Sequence, residues 1–295
     1  MTTHSRPTPI DGAGSLAATD DSLQFIGNAT VLIRFAGFTI LTDPNFVHAG
    51  EEVPLGYGLK TTRLKDPAMD IEDLPPLDLV VLSHFHADHF DRVAEEQLDR
   101  TLPILTTPEA AEALDDRGFR RPVPLETWDS WQKSGPDGRL KVTSLPGRHA
   151  PAGLSVALPD VMGSCIELWR GASPGAAAPT ATEPSLRLYI TGDTIFYGGL
   201  REIRDRYPTF DMALLHLGGT RVMGVTVTMD GDQGLEMLKL MEPKVAVPIH
   251  YDDYEAFKSP LEEFVEKVRD AGLEDRVRYV GRGETLPLGG GLPLS

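Results

Sequence analysis

Three histidines and an aspartate fall within six residues of this chain, in the order His84-x-His86-x-Asp88-His89. Eight histidines in 295 residues would give three at these fixed positions by chance only about 0.006 times, so the pattern indicates a function. Imidazole and carboxylate ligands suit Zn²⁺ and also tolerate Mn²⁺ or Fe²⁺. The single cysteine, Cys165, excludes an internal disulfide and a CxxC metal site. The motif therefore predicts a metal site built from histidine and carboxylate.

The residues before the motif indicate how these side chains would be held. Residues 77–82 form an apolar run of strand length, and the polar motif begins where that strand would end. Side chains two residues apart on an extended chain point to one side, so His84 and His86 would face a common position. A turn after them would bring Asp88 and His89 to an adjacent position. The sequence thus predicts two neighbouring metal positions.

This motif at the end of an apolar strand resembles the signature of the metallo-β-lactamase superfamily. That family has three further ligands at later strand ends: a histidine, a bridging aspartate and a last histidine. The matching positions are His149 after residues 145–148, Asp193 in Thr191-Gly192-Asp193, and His250 in Pro248-Ile249-His250-Tyr251. Asp43, in Leu41-Thr42-Asp43-Pro44, matches the family's aspartate that orients a ligand histidine. The resemblance covers residues 23–251.

The resemblance implies a ligand set, a reaction and a fold. It assigns the ligands to two divalent ions, with His84, His86 and His149 on one, Asp88, His89 and His250 on the other, and Asp193 bridging both. Zinc is the first expectation, with manganese or iron also compatible. A hydroxide bridging the metals would be the nucleophile. The fold implied is a four-layer αββα sandwich, in which two mixed β-sheets carry helices on their outer faces.

Departures from the family pattern narrow the activity. Antibiotic-degrading members often have a cysteine where this chain has Asp193, which disfavours β-lactam hydrolysis. The chain is more similar to the branch of L-ascorbate-6-phosphate lactonases and N-acyl-phosphatidylethanolamine phospholipase D relatives, through residues 26–30, 41–44, 218–219, 228–229 and 248–251. This branch implies a hydrolase of a small ester, lactone or phosphodiester. The alternative is a non-catalytic metal-binding or regulatory member of the fold, which retention of all seven ligand types disfavours.

Three residues are candidates for handling the proton of the reaction. Asp88 is expected both to bind metal and to orient the nucleophile or carry its proton. His216 ends another apolar run, and Tyr251 directly follows a ligand. Either of these two side chains would serve as a proton donor or as a partner for a developing oxyanion, or would have only a structural role.

Substrate contacts are expected from residues close to the ligands in sequence. Arg148 and Arg221 are cations that would pair with a phosphate or carboxylate on the substrate. Residues 150–163 follow a ligand and are rich in proline, glycine and small apolar residues. We expect this segment, including Leu154, to line the substrate entrance.

The rest of the chain predicts many short strands and a few helices. Residues 23–26, 30–35 and 38–41 predict an antiparallel meander, separated by Gly27-Asn28 and Ala36-Gly37 turns. Further strands are predicted at residues 104–106, 141–145, 165–169, 186–190, 212–217 and 245–249. Helices are predicted at residues 93–100, 108–117 and 230–241, and after Ser259-Pro260-Leu261-Glu262, a capping box with proline at the first helical position. Residues 172–185 predict an enlarged surface loop.

Composition bounds the domain organisation and the partners. Residues 1–22 predict a polar flexible tail, and residues 23–295 a single domain. The net charge of −16 disfavours nucleic acid and anionic lipid as partners, which leaves a small-molecule substrate. The sequence holds neither an apolar run near 18 residues nor a signal-peptide pattern in the first 22. We therefore expect a cytoplasmic enzyme without stable membrane insertion, and the oligomeric state stays open.

Overall fold

A computed structural model describes residues 21–56, 59–151, 158–171, 182–222 and 224–288. Most of the predicted tail lies outside these residues, and its last residue, Ser22, already begins the first strand. Most of the predicted surface loop at residues 172–185 also lies outside them.

The described residues form many short strands separated by five α-helices. The strands are β1 Ser22–Gly27, β2 Thr30–Phe35, β3 Phe38–Thr42, β4 Glu52–Gly56, β5 Leu59–Thr62, β6 Leu79–Val81, β7 Ile104–Thr106, β8 Pro122–Pro124, β9 Ser130–Gly135, β10 Gly138–Pro146, β11 Met162–Arg170, β12 Leu186–Ile190, β13 Met212–His216, β14 Arg221–Val222, β15 Val225–Thr226, β16 Val245–Ile249 and β17 Thr285–Pro287. The helices are α1 Arg92–Gln97, α2 Pro108–Asp116, α3 Arg201–Arg206, α4 Gly231–Met241 and α5 Leu261–Asp270. Among these helices, none has the length and apolar character needed to cross a membrane.

Two large mixed sheets carry the fold. The seven-stranded sheet has the order β17-β1-β2-β3-β6-β7-β8 and the six-stranded sheet the order β16-β13-β12-β11-β10-β9. In the first, β1, β2 and β3 form the predicted antiparallel meander, and β3, β6, β7 and β8 run parallel. In the second, β12, β13 and β16 are parallel while β9, β10 and β11 are antiparallel.

Three apolar cores separate four layers. The central core lies between the sheets and combines, for example, Ile33 and Ile40 of one sheet with Ile166 and Leu214 of the other. A second core packs the six-stranded sheet against α3, α4 and α5, and a third packs the seven-stranded sheet against α1 and α2. The predicted αββα sandwich is therefore confirmed, since each face of each sheet buries its apolar side chains against a neighbour.

Strand directions bring distant parts of the chain to one edge. Because β1 is antiparallel to β2 and β2 to β3, the carboxyl ends of β1 and β3 lie at the same edge, together with that of β6. The same reasoning puts the carboxyl ends of β10, β12, β13 and β16 at a common edge of the second sheet. Ligands in open α/β sheets bind outside the carboxyl ends of parallel strands, so these loops are where a site is expected.

Helix boundaries differ slightly from those predicted. The helix predicted at residues 93–100 spans Arg92–Gln97 and is capped by Asp91, whose side chain accepts from the Ala94 amide. The helix α5 begins at Leu261, so Pro260 precedes it rather than occupying its first turn. Ser259 does not form the predicted capping box, because its hydroxyl accepts from the Gly231 amide at 3.0 Å and donates to Glu263 at 2.7 Å. Ser259 thus joins α4 to α5.

Candidate metal centre

The loop after β6 carries the contiguous motif. His84 follows the strand by three residues, and a tight turn then forms in which the amides of His89 and Phe90 donate to the carbonyl of His86 at 2.9 and 2.7 Å. This turn reverses the chain between the second and third histidines of the motif. As the spacing predicted, it brings two pairs of polar side chains to adjacent positions.

His84, His86 and His149 form what we call the three-histidine cluster, in which one ligand atom from each residue lies within 4.8 Å of the others. The Nδ1 atom of His86 lies 3.0 Å from Nε2 of His84 and 3.3 Å from Nε2 of His149. The Nδ1–H of His149 donates to the carbonyls of Asp193 and Val227, at 3.0 and 2.8 Å. Since a carbonyl only accepts, the Nε2 lone pair of His149 is left facing the cluster.

Asp88, His89, Asp193 and His250 form a second set, the mixed cluster, again with ligand atoms within 4.8 Å of one another. Nε2 of His89 lies 3.4 Å from Oδ1 of Asp193, and Nε2 of His250 lies 3.5 Å from Oδ2 of Asp88. All four residues are buried. The Nδ1–H of His250 donates to the Leu217 carbonyl at 3.0 Å, which turns Nε2 toward the cluster.

Four atoms of the mixed cluster are buried without a hydrogen-bond partner among the described residues: Oδ1 of Asp88, Nε2 of His89, Oδ1 of Asp193 and Nε2 of His250. A buried polar atom left unpaired costs about 1–3 kcal/mol, and four in one place are not an accident of packing. Imidazole nitrogens and carboxylate oxygens that converge in this way match the donor set of divalent zinc, manganese or iron. The residues of the mixed cluster therefore fit a divalent metal ion.

The two clusters differ in charge. Burial, reinforced by neighbouring imidazoles, holds the pKa of His84 well below its ordinary value and lowers that of His86 to about 4. Burial alone would also lower the pKa of His89 and His250, but the carboxylates of Asp193 and Asp88 outweigh it and raise both. Burial thus favours the neutral form of His84 and His86, whereas the carboxylates of the mixed cluster favour the charged form of its two imidazoles.

Asp43 supports the motif from behind. Its Oδ1 accepts from the amide of Ser83 at 2.8 Å and from the Ser83 hydroxyl at 2.7 Å, and it lies 3.3 Å from Nδ1 of His89. Burial would raise the pKa of Asp43, yet the neighbouring imidazoles of His216 and His89 hold it well below its ordinary value. Asp43 is therefore an anion in contact with His89, and the orienting role that the resemblance implies stays a prediction.

His216 is packed beside the mixed cluster. Its side chain is fully buried, with Nδ1 hydrogen-bonded to Oγ1 of Thr191 at 3.1 Å and Nε2 3.8 Å from Oδ2 of Asp43. Its ring stacks on that of His89, with centroids 5.9 Å apart. Asp43, His89 and His216 form a third group whose ligand atoms lie within 4.8 Å of one another, and Nε2 of His216 has no hydrogen-bond partner among the described residues. The role of His216 as a proton donor or oxyanion partner stays a prediction.

Tyr251 faces a different surface. It lines an open cavity of about 430 Å³ with Leu64, Phe257 and Leu261. Burial raises the pKa of its hydroxyl to about 12, with the nearby Asp252 adding to the effect. Within the described parts of the chain, no hydrogen bond or ion pair joins Tyr251 to a member of either cluster. Phe257, which lines the same cavity, packs on the ring of His250 with centroids 4.4 Å apart, and the catalytic role of Tyr251 stays a prediction.

The candidate substrate residues have different outcomes. Arg148 is half-buried, and its guanidinium lies 4.2 Å from the ring centroid of Tyr197, with no carboxylate partner among the described residues. Arg221 is exposed on the β14–β15 hairpin, whose continuation carries the Val227 carbonyl that holds His149. Leu154 lies outside the described residues. Arg148, which directly precedes His149, therefore has no carboxylate among the described residues that would compete with an anionic ligand for its guanidinium.

Two residues that the sequence did not single out hold ligands in place. Thr228 is fully buried and donates its hydroxyl to Oδ2 of Asp193 at 2.9 Å. The hydroxyl of Ser83 lies 2.9 Å from Nδ1 of His84 and 3.3 Å from Nδ1 of His89. A serine beside the motif was the available signal for the second contact. For the contact of Thr228, the only signal in the sequence was that residues 228–229 belong to the pattern shared with the branch.

Gly192 makes room for the turn that presents Asp193. Its φ of +60° lies in the left-handed region, and a Cβ there would come within 2.7 Å of the Met162 carbonyl oxygen and 3.1 Å of the Ser83 Cβ. Any other residue would push the six-stranded sheet away from the motif loop. The glycine therefore permits the close approach on which the mixed cluster depends.

Comparison with known families agrees with this geometry. The family model described as the beta-lactamase superfamily domain matches residues 39–251, which include all seven predicted ligands and Asp43. The match covers more than two thirds of the chain, and it begins within β3 and ends just after His250.

Individual relatives and structures extend the similarity. The chain is 27% identical over 270 residues to a UPF0173 metal-dependent hydrolase of Thermus thermophilus, covering 90% of this chain and 98% of the relative. It is 26% identical over 246 residues to N-acyl-phosphatidylethanolamine-hydrolyzing phospholipase D 1 of Caenorhabditis elegans, covering 78% and 63%. The crystal structure of an isothiocyanate hydrolase from Delia radicum gut bacteria superposes with a TM-score of 0.72 at 22% identity, covering 90% and 98%. The last similarity shows a shared fold, and the first two agree with the branch that the short motifs indicated.

Proposed function

The chain belongs to the beta-lactamase superfamily, and we propose that it is a metal-dependent hydrolase that binds two divalent ions at the edge where its strand ends converge. One observation carries the proposal. Buried imidazole and carboxylate atoms converge in two adjacent clusters, and in the mixed cluster four of them have no partner among the described residues. The relatives named as metal-dependent hydrolases support the same conclusion.

The ligand assignment follows the clusters. His84, His86 and His149 would hold one ion, and Asp88, His89 and His250 the other, with zinc preferred and manganese or iron compatible. Asp193 lies with the mixed cluster, and we assign it the bridge between the ions. When bound, a pair of divalent ions acidifies water and polarises the oxygen of a scissile carbonyl or phosphoryl group.

The protein's own groups would handle the proton. The carboxyl of Asp88 is buried, which would raise its pKa, but His89 and His250 lower that pKa to about 2. Asp88 is therefore ionised near neutral pH and acts as a base, with Oδ1 as the atom that accepts a proton from the attacking water. After attack, the same atom would return the proton to the leaving group. This role needs neither His216 nor Tyr251.

We propose a small ester, lactone or phosphodiester as the substrate, because each presents one polarisable oxygen and one leaving oxygen. Arg148, stacked on Tyr197 and next to His149 in sequence, would pair with an anionic group on the substrate. Arg221, on the hairpin beside the same cluster, is a second candidate for that contact. A lactone with a carboxylate or phosphate substituent, or a phosphodiester itself, meets this requirement.

Metal analysis combined with a substrate panel tests the proposal. Purified protein should contain close to two equivalents of metal, and chelation should abolish hydrolysis of lactones, esters or bis(p-nitrophenyl) phosphate until Zn²⁺ or Mn²⁺ is restored. Hydrolysis by metal-free protein would refute the mechanism. Two bound equivalents without hydrolysis of any substrate in the panel would support the non-catalytic alternative instead.

A matched pair of histidine variants controls the assay. His86→Ala should lower metal content and rate together, because it removes a ligand atom. His48→Ala removes a histidine that pairs with Asp66 and Asp70 at the surface, outside both clusters. It should leave both metal content and rate unchanged.

A further inference from the structure

Asn28 joins the two ligand-bearing loops of the mixed cluster. It follows β1 and is fully buried, and its side-chain amide donates to the main-chain carbonyl of Asp88 at 2.5 Å. The main-chain carbonyl of Asn28 accepts from the main-chain amide of His250 at 3.0 Å. One residue therefore fixes the backbones of two ligands that lie 162 residues apart in the sequence.

Asn28 is itself held by a buried carboxylate. The main-chain amide of Asn28 donates to Oδ2 of Asp253 at 2.9 Å. The other oxygen of Asp253 lies 3.2 Å from Nη2 of Arg63 and 2.9 Å from Nη2 of Arg282. The absence of a side chain at Gly27 leaves room for the Arg282 guanidinium, which occupies the space a Cβ would take. The carboxylate is thus neutralised by two cations while it positions the loop after β1.

Arg63 extends this network to the motif loop. Its side chain is fully buried, and it donates to the carbonyl of Asn45 at 3.2 Å and to the side-chain oxygen of Asn45. The amide nitrogen of Asn45 in turn donates to the carbonyl of Ala87 at 3.2 Å. Burying an ion pair adds little net stability compared with apolar packing, so a buried network of this kind is better explained by the geometry that it imposes.

The network contacts one cluster and not the other. Its hydrogen bonds reach the backbones of Ala87, Asp88 and His250, whereas none of those found in the described segments reaches His84 or His149. The three-histidine cluster is oriented instead by Ser83 and by the carbonyls of Asp193 and Val227. Ser83 is common to both clusters, because its hydroxyl also lies 3.3 Å from Nδ1 of His89, whereas the hydrogen bonds of Asn28 among the described residues reach the mixed cluster alone.

We propose that Asn28, Asp253 and Arg63 form a positioning network that sets the affinity of the mixed cluster for its ion and leaves the three-histidine cluster unaffected. The inference rests on the proposed function, because it presumes that both clusters bind metal. Its physical basis is the separation between the Asp88 and His250 side chains, 3.5 Å from Oδ2 to Nε2. Without the side-chain amide of Asn28, the main chain at Asp88 loses its hydrogen bond to the loop after β1, and that separation is no longer fixed.

Chelator competition on the metal-free full-length chain, titrated with Zn²⁺, tests whether the network affects the mixed cluster and leaves the three-histidine cluster unaffected. Asn28→Gly suits the test because glycine tolerates the φ of +54° found at this position and keeps both main-chain hydrogen bonds. One of the two dissociation constants should rise by roughly 10–100-fold, as for other residues that support a ligand, while the other changes by less than about 3-fold. In a His86→Ala background, the constant that remains should show the same rise.

Asp253→Asn should give a smaller loss of Zn²⁺ affinity at the same binding step, because one carboxylate oxygen is replaced by an amide nitrogen. Asp211→Asn is the matched control: Asp211 also accepts from a main-chain amide, that of Arg187 at 2.8 Å, and pairs with Lys244, but it lies before β13, away from the ligands. It should change neither constant.

The outcomes separate the two proposals. Wild-type protein that binds no metal contradicts the proposed function. Wild-type protein with two bound equivalents, together with an Asn28→Gly variant whose two constants are unchanged or equally weakened, overturns the positioning network. Circular dichroism establishes that the variant is folded. If it is not, Asn28→Asp, which keeps the size of the side chain and removes the amide donor, replaces it with the same expected result.

Discussion

The three-histidine cluster and the mixed cluster lie side by side at one edge of the sandwich, yet they are built differently. The first consists of three imidazoles, one of which, that of His86, is only partly buried. The second consists of two carboxylates and two imidazoles, all buried, and its ligand loops are tied to an ionic network. The difference teaches that adjacent positions on one scaffold differ in the charge that they offer an ion and in how firmly they hold it.

The largest expected effect comes from Asp193, the residue shared by the proposed ions. Asp193→Ala removes a carboxylate that lies 3.4 Å from His89 and 3.6 Å from His250, so the proposed ions lose a shared anionic ligand. We expect kcat/KM to fall roughly 10⁴-fold or more on every substrate, with loss of bound metal. Steady-state kinetics with elemental analysis measures both.

The same comparison gives a control for Asp193. Asp211→Ala removes a partly buried carboxylate outside both clusters and should leave metal content intact. An Asp193→Ala variant that retained two equivalents and the wild-type rate would remove Asp193 from the centre altogether.

The next effect separates the clusters. His86→Ala deletes a ligand of the three-histidine cluster only, since its Nδ1 lies close to His84 and His149. Because residues that merely support a ligand are worth 10–100-fold in affinity, loss of a ligand should weaken one binding step by at least about 100-fold. Elemental analysis should then find about one equivalent of metal. Loss of both equivalents would show that the clusters are not independent.

A smaller effect is expected at Thr228, which supports the proposed bridging residue. Thr228→Val keeps the shape of the side chain and removes the hydroxyl that donates to Asp193. Because Asp193 is assigned to both ions, both dissociation constants should rise, by roughly 10-fold, measured by chelator competition. Thr220→Val is the matched control, because the buried hydroxyl of Thr220 has no hydrogen-bond partner in the described part of the chain. Equal effects of the two substitutions would argue against support of Asp193 by Thr228.

The smallest effect is expected at Tyr251. Tyr251→Phe removes a hydroxyl from a residue that lines an open cavity and that, among the described residues, has no hydrogen bond or ion pair to either cluster. We expect the free energy of unfolding to change by less than about 0.5 kcal/mol and kcat/KM by less than roughly 3-fold. A fall in kcat that is larger for alkyl esters than for p-nitrophenyl esters would restore Tyr251 as the proton donor.

The parts of the site that the sequence predicted are those encoded locally. The motif from His84 to His89 is contiguous, and strand ends mark His149, Asp193 and His250, so pattern and resemblance located all of them. The role of His216, at another strand end, stays a prediction. Whether a side chain at a strand end faces the open edge or a neighbouring strand depends on how the two sheets pack, which short runs of sequence do not encode.

The supports of the site were beyond sequence reasoning for a related reason. Arg63 meets its carboxylate partner across 190 residues, and Asn28 meets Asp88 across 60. Neither residue stands in a pattern that names its partner. Most arginines are surface residues, so only the assembled structure distinguishes the buried Arg63 from them.

The pairing of the last described strand with the first has a consequence for how the molecule is made. β17 closes the seven-stranded sheet on β1, and the preceding Arg282 reaches the carboxylate that anchors the turn after β1. Because synthesis proceeds at about 5–20 residues per second, the ribosome completes residue 287 roughly 10–40 s after it has made the motif loop. During that interval the early histidines exist without their later partners. Assembly of the centre is therefore a late event in biogenesis, and a nascent chain that stalls before β17 would expose a half-formed chelating loop to whatever cation is most abundant.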